Sequence, residues 1–503
     1  MKKLFLLLVA VLGLVGLTAC GNNNNQQQNS ETYDFTMWVS DTKGVKELTE
    51  KQIQAFAAQE GITLNATLSA VGEGDAATQM LGDLETGADL YCFAQDQLAR
   101  LVSAGALTPL GVKASETIKA NNDEISVAAA SVSGQLYCYP LTSDNCYFLY
   151  YDKRVLSETD VLSLETIIEK CEAAGKKVSF NLGSGFFNAS FFFATGCQSN
   201  WYTDNEGKIT SVEDTFNSAN GLIALKGMQK LVKSSCYEDS GDATDFEAAT
   251  PSAAVVTGTW NSSVTRKILG ENMGVAKLPS FTVDGNSYQL TSFMGCKLLG
   301  LKPQTDAKKA AVLQKLALYL TSEAAQLERH AQFGWGPSNL AAQANDSVKN
   351  DPVIAAVEAQ KEDSVIQRAI HGSWWDIAAT CTAAAKAAAL NDAAALQAAL
   401  DSYKTAIDAI FTMSDEVKNA WTVIGMVKGT TWDTDFPMTE ENGVWTSEEA
   451  FEFAAGTEFK VRKGLSWDES FGNGSANFVV ETAGVYYVKF TVATSTVELV
   501  PAE

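Results

Sequence analysis

YDFTMWVSDTKGVKELTEKQIQAFAAQEGITLNATLSAV, residues 33–71, is the stretch on which the fold turns. Its first part, DFTMWVS (34–40), is a β-type run. From Lys46 to Gln59 the apolar residues Leu48, Ile53, Phe56 and Ala57 fall on one face of a 3.6-residue helix, and ITLNATLSAV (62–71) returns to alternation as a second strand. Strand, helix, strand is the start of a βαβ unit, and GADLYCF (87–93) supplies the next buried strand. The same exchange of short β-type runs with helical segments continues to about Ile410, which predicts an α/β body over 33–410. Ala378 to Leu400 is so rich in alanine that propensity alone predicts a helix closing that body.

Beyond Phe411 the helical period disappears. WTVIGMV (421–427), GVWTSEEAFEF (443–453), TEFKVRK (457–463), NFVVE (477–481) and GVYYVKFTVATSTVELV (484–500) read as strands, with Glu441-Asn442-Gly443 and Asn473-Gly474 as turns. Residues 418–503 are therefore expected to form a small all-β sandwich. Four of the ten tryptophans, Trp421, Trp432, Trp445 and Trp467, lie in it, more than an even spread would place there.

At the other end, Met1-Lys2-Lys3 precedes an uncharged apolar and glycine run to Leu17, too short for a spanning helix of about 20 residues and flanked as an export signal is. Leu17-Thr18-Ala19-Cys20 resembles a bacterial lipobox, which implies a signal peptide over 1–19 and lipidation of Cys20. The GNNNNQQQNS that follows (21–30) cannot bury apolar surface, so residues 20–32 are expected to be the acylated cysteine and a disordered polar tether. The implied location is extracytoplasmic, anchored to the cell membrane as a lipoprotein.

The charge balance is 37 basic against 60 acidic residues, a net −23, and removal of the signal would leave 35 basic residues. Such a surface repels phosphate backbones and anionic headgroups, so nucleic acid is not an expected partner. With two histidines and no CxxC pair, no metal site or cofactor is expected. The eight cysteines after Cys20 sit mostly in apolar runs such as Tyr91-Cys92-Phe93, which favours buried free thiols over a disulfide framework. His330 and His371 are isolated and read as structural.

Several local matches then occur in a familiar order: MWVSDTKG (37–44), GADLYCFAQDQLARLVSAGALTPL (87–110), SGQLYCYPLTSDNCYFLYYDKRVL (133–156), FNLGSG (180–185), VVTGTWNSSV (255–264), GVAKLPSF (274–281), FGWGPSN (333–339) and Trp374-Trp375. In this order the body resembles the extracellular solute-binding proteins of the maltose-binding type, lipid-anchored receptors of ABC importers. The resemblance implies two α/β lobes joined by a hinge, one about 33–143 plus 290–340, the other about 144–289 plus 341–410, with ligand between them. It also implies a monomeric receptor that hands its sugar to a permease.

A sugar offers apolar C–H faces and a rim of hydroxyls, so its receptor needs aromatic platforms and hydrogen-bonding side chains. Carried over position by position, the resemblance implies Ser40, Asp41 and Lys43 in the turn after the first strand, Phe93 as a platform with Asp96 and Gln97 following, and Asp144 at a crossing segment. Phe186, Trp260 and Trp374 match stacking positions, with Trp335 and Trp375 nearby. Two departures stand out: Ser184-Gly185-Phe186 replaces an acid-proline-tyrosine step, and Gln97 replaces a basic partner beside Asp96.

The tail resembles small starch-binding modules of outer-membrane starch-binding lipoproteins and amylases, through Trp421 to Gly425, TTWDTDFPM (430–438), EFKVRKGLSW (458–467) and GVYYVKF (484–490). Alternation puts Phe459 and Val461 on one side of a strand and Lys460 and Arg462 on the other, where they would accompany Trp432 and Trp467 against an α-glucan. The resulting expectation is a malto-oligosaccharide receptor with an extra glucan-binding module, and not an enzyme. Two alternatives stand beside it: a receptor for a different oligosaccharide, such as a β-linked glucan, and a glycan-degrading enzyme, which would need two carboxylates at hydrolytic spacing.

Overall fold

The computed structural model describes residues 31–502 apart from 205–206, 413, 431, 433, 466–468 and 475. The signal segment, Cys20, most of the polar tether and Trp467 thus lie outside the described residues. Among the described residues no helix is long and apolar enough to cross a membrane.

The opening βαβ unit forms as its pattern requires. Strand Thr32–Val39 alternates buried and exposed side chains, helix Val45–Glu60 buries Leu48, Ile53 and Phe56, and strand Thr63–Ala70 returns parallel to the first. Gly61 ends the helix in the left-handed region, where a glycine carries no Cβ penalty. Strand Leu90–Ala94 adds parallel to the first strand on its other side, and Lys297–Leu301 and Cys138–Pro140 extend the sheet antiparallel. A core of Phe35, Met37, Leu90, Phe93, Leu298 and Leu316 holds this first lobe together.

The second lobe repeats the scheme with a sheet ordered Tyr237–Glu238, Lys177–Ser179, Ser252–Thr257, Phe148–Asp152, Met273–Ala276. Its core is rich in aromatic rings, with Phe192 stacked on Phe216 at 4.1 Å between centroids. Leu290 and Phe293 belong to this second core and Leu298 to the first, so the chain crosses between lobes just before Lys297 rather than at 290. There Ser292–Met294 pairs in parallel with Ser364–Ile366.

The alanine-rich stretch is two helices, Trp374–Ala387 and Ala393–Thr412, not one. Asn391 takes a positive φ of 60°, Asp392 accepts a hydrogen bond from the amide of Ala395, and buried Gln229 bonds the carbonyls of Ala385 and Ala389 and the amide of Asn391. Local capping chemistry and one partner from across the lobe outweigh propensity here.

The C-terminal region is all β. Strand Asp435–Glu441 pairs with Trp421–Gly425 on one side and Val444–Ser447 on the other, passing between two layers that enclose Trp421, Val423, Phe451, Phe459, Val461 and Phe490. The run 484–500 is broken into Gly484–Thr491 and Thr496–Pro501, which fold back on each other around Ser495, φ 50°. All eight cysteines of the described residues are buried and free, and burial pushes the thiols of Cys92, Cys146 and Cys381 far above the ordinary range. They pack as small apolar groups.

Candidate functional site

Three loops of the first lobe leave the carboxyl ends of its parallel strands: 40–44 after Val39, 71–75 after Ala70 and 95–97 after Ala94. Three loops of the second lobe do the same, carrying Asn181 and Ser184 after Ser179, Asp239 to Asp242 after Glu238, and Trp260 with Asn261 after Thr257. In α/β sheets the carboxyl ends are where ligands bind. Here the two sets of loops face each other across a cleft of about 1710 Å³. At one end the lobes touch directly, since a Cβ added to Gly207 of the second lobe would lie 2.5 Å from the carbonyl oxygen of Ala99 in the first.

The two walls differ in chemistry. Among the described residues, every aromatic ring that lines the cleft, Phe186, Phe187, Trp260 and Trp375, comes from the second lobe. The first lobe contributes Asp41, Lys43, Glu73, Asp75, Asp96, Gln97, Arg100 and Lys297. The second-lobe wall therefore combines flat apolar faces with polar groups such as Asn181, Asp239 and Asp242, while the first-lobe wall offers donors and acceptors.

Local packing fixes the rings. Phe186, on helix Gly185–Ala194, lies parallel to Phe293 at 5.7 Å and edge-on to Phe187 at 5.1 Å. Successive residues on a helix point about 100° apart, so Trp374 and Trp375 part company. Trp374 is fully buried and donates from Nε1 to the Tyr403 hydroxyl at 2.9 Å, while Trp375 lines the cleft. Trp260 folds over the backbone at Gly258, where any Cβ would stand 2.0 Å from the indole.

On the polar wall, Lys297 is buried and its Nζ sits 2.7 Å from Oε1 of Glu73 and 4.5 Å from the ring centroid of Trp335. Burial works against the charge of both partners, but their attraction and hydrogen bond outweigh it, holding the Glu73 carboxyl below and the Lys297 ammonium above their ordinary ranges. Asp41 lies close by, raised by its burial and by the Glu73 charge. Gln97 braces the 71–77 loop, accepting from the amide of Ala77 at 2.9 Å and donating to the carbonyl of Gly74.

Asp96 is the most perturbed acid of the cleft. Burial pushes it up to about 7 against the opposing pull of Arg100, and its Oδ1 has no hydrogen-bond partner among the described residues. Because its folded value is raised, the stability associated with its neutral form is present at low pH and lost as pH rises through about 7. A ligand hydroxyl donating to the carboxylate favours the charged form. Affinity is expected to increase severalfold from pH 6 to pH 8 in a calorimetric titration, and Asp96→Asn to flatten the profile. An identical slope in the asparagine variant would assign the pH dependence elsewhere.

Of the residues expected from sequence, the cleft brings together Asp41, Lys43, Asp96, Gln97, Phe186, Trp260, Trp375 and Lys460. Phe93 is not a platform: it is fully buried in the first core, opposite Leu298 on the neighbouring strand. Trp335 is likewise a core residue of the first lobe, and Trp374 of the second. Ser40 is buried and holds the turn through Thr42, accepting from its amide at 3.2 Å. Asp144 is fully buried and clasps the lobes near the crossing, its Oδ2 accepting from the Thr259 hydroxyl and the Gly336 amide. In the tail, the Arg462 guanidinium forks onto the Asp435 carboxylate, and Trp432 is a half-buried turn residue away from the cleft lining.

The cleft also holds residues that the sequence reading passed over, notably Glu73, Arg100, Asn145, Phe187, Asn261 and Lys297. The Gly72-Glu73-Gly74-Asp75 loop carried a usable signal, because it directly follows a strand of the opening βαβ unit. Lys297, in the middle of an apolar run, carried none.

Comparison with known proteins agrees with this geometry. A maltotriose-binding protein of Pyrococcus abyssi is 21% identical over 273 residues, which are 53% of this chain and 58% of that relative, so the match spans little more than half of its length. A chain solved with acarbose is 30% identical with a TM-score of 0.66, covering 76% of this chain and 100% of its own. A cyclo/maltodextrin-binding protein complexed with maltotetraose has a TM-score of 0.60 at 21% identity and covers 77% and 100%. The shared part is the two-lobe body of maltose-type solute-binding proteins, and the all-β region follows it. The model of the bacterial extracellular solute-binding protein family matches residues 51–356, and the chain belongs to that family.

Proposed function

We propose that this protein captures malto-oligosaccharides in the inter-lobe cleft and delivers them to an ABC permease, as a monomeric lipoprotein held at the membrane through Cys20. The carrying observation is the asymmetric cleft, with four aromatic rings on one wall facing a polar wall at the carboxyl ends of both sheets. A glucose unit stacked on a ring presents its hydroxyl rim outward, where carboxylates, amides and ammonium groups form charge-assisted hydrogen bonds. The ligands in the names of the relatives, maltotriose, maltotetraose and acarbose, support the same chemistry. The role is binding without bond cleavage.

The all-β region adds a further contact with α-glucan. A second binding element on the same chain raises the effective concentration of ligand at the first. Isothermal titration calorimetry of the mature chain with maltotriose and longer α-glucans is expected to show saturable binding. Absence of binding to all of them, with binding to a β-linked glucan, would shift the ligand class. Release of reducing sugar from starch would overturn the receptor reading itself.

A further inference from the structure

The C-terminal region does not stand apart from the cleft. Lys460, Ser470 and Ala476 line it together with Asp75, Thr78, Gln79 and Arg100 of the first lobe. The alternation of strand Glu458–Lys463 explains how: Phe459 and Val461 are fully buried in the sandwich, so Lys460 projects from the opposite face. That face lies against the first lobe. Phe471, stacked on Phe490 at 5.4 Å inside the sandwich, reaches the end of helix Ala76–Gly82, where a Cβ on Gly82 would lie 3.2 Å from its ring. Lys460 is partly desolvated in this position, and the Asp75 carboxylate beside it opposes the resulting depression of its ammonium.

The cleft is larger than two lobes need for a small sugar. Its 1710 Å³ exceeds the roughly 300–1,000 Å³ of ordinary ligand pockets. The described tail residues flank the part of the first lobe formed by Asp75, Thr78 and Gln79, and among them Lys460 contributes a cation and Ser470 a hydroxyl. This is hydrogen-bonding chemistry for hydroxyl rims, complementary to the rings of the second lobe.

We propose that the C-terminal β region forms a third wall of the ligand cleft, and that Lys460 and Ser470 contact the sugar units of a bound oligosaccharide that extend beyond the inter-lobe platforms. Chain length is then read jointly by the lobes and the tail, and the further contact of the all-β region with α-glucan is made as a chain-length subsite of the same cleft. The proposal rests on the oligosaccharide reading above and deepens it.

Two sugars and two variants test it on the full chain. Calorimetry with maltotriose and maltoheptaose is run on the unsubstituted protein, on Lys460→Met and on Gly82→Val, whose added side chain displaces Phe471 and with it the tail. Lys460→Met is expected to weaken maltoheptaose binding roughly tenfold, as loss of a charged hydrogen bond does, and maltotriose binding less than twofold. Gly82→Val is expected to reproduce this selective loss. Equal effects on the two sugars, or none on maltoheptaose, would overturn the third wall while leaving the receptor reading intact. Binding of neither sugar by the unsubstituted chain would overturn both.

Discussion

Replacing Trp260 with alanine is expected to weaken α-glucan binding by about 2 kcal/mol or more, roughly thirtyfold in dissociation constant, with little change in stability. The indole is half-buried at the end of the fully buried strand Ser252–Thr257, lines the cleft, and is held over Gly258. Its loss removes one face of the stacking wall but no part of either lobe's fully buried core. Gly258→Ala is expected to act in the same direction with the indole still present, because the new methyl group occupies the space of the ring. Trp374→Ala supplies the contrast. That ring is fully buried and hydrogen-bonded to Tyr403, so truncation is expected to cost about 3–5 kcal/mol of stability. Urea unfolding and calorimetry on the same three variants separate the two kinds of tryptophan. Unchanged affinity in Trp260→Ala would remove that residue from the site.

Breaking the Glu73–Lys297 pair is expected to have the second large effect. Lys297→Met leaves the Glu73 carboxylate facing a low-dielectric interior without its cation, and removal of one member of a buried pair costs about 3–5 kcal/mol. Glu73→Gln strands the ammonium in the same way, between the rings of Trp335 at 4.5 Å and Trp260 at 6.0 Å. The double variant is expected to recover much of the loss, since neither charge is then left alone. Glu73 is lowered in the fold, so its contribution is present above the ordinary carboxylate range and lost as pH falls through that range. Lys297 is raised, so its contribution persists up to the ordinary lysine range and is lost only above it. Denaturation midpoints at pH 7 and pH 3 are expected to differ less in Glu73→Gln than in the unsubstituted protein. Additive single and double effects would show that the two groups do not act as a pair.

Much of this architecture was legible in the residues. The helix over 45–60 and the strands on either side of it follow from apolar spacing alone, because burial of one face is decided by local periodicity. The change to an all-β region after residue 420 follows from the disappearance of that period, though Pro437 hides strand Asp435–Glu441, whose pairing only the neighbouring strands reveal. The split of the alanine-rich stretch at Asn391 depends on Gln229, over 150 residues away in the chain.

The site was legible in residue type more than in position. The resemblance put Trp374 at a stacking position and Trp375 only nearby, and the reversal follows from which face of one helix meets Tyr403. Phe93 and Asp96 lie three residues apart, yet one is packed against Leu298 and the other lines the cleft, because the strand ends at Ala94 between them. Asp144 has the chemistry of a sugar ligand but is held by Thr259 and Gly336 from the two lobes.

By itself, then, the sequence determined the local elements and the change to an all-β region after the α/β body, since periodicity and turn chemistry act over a few residues, while the two lobes followed from the family resemblance. Tertiary structure alone decided which rings face the cleft, which charges pair on its polar wall, and that Lys460 stands at its edge. Those outcomes depend on contacts between residues distant in the chain, where burial of one side chain is set by what the rest of the fold brings against it.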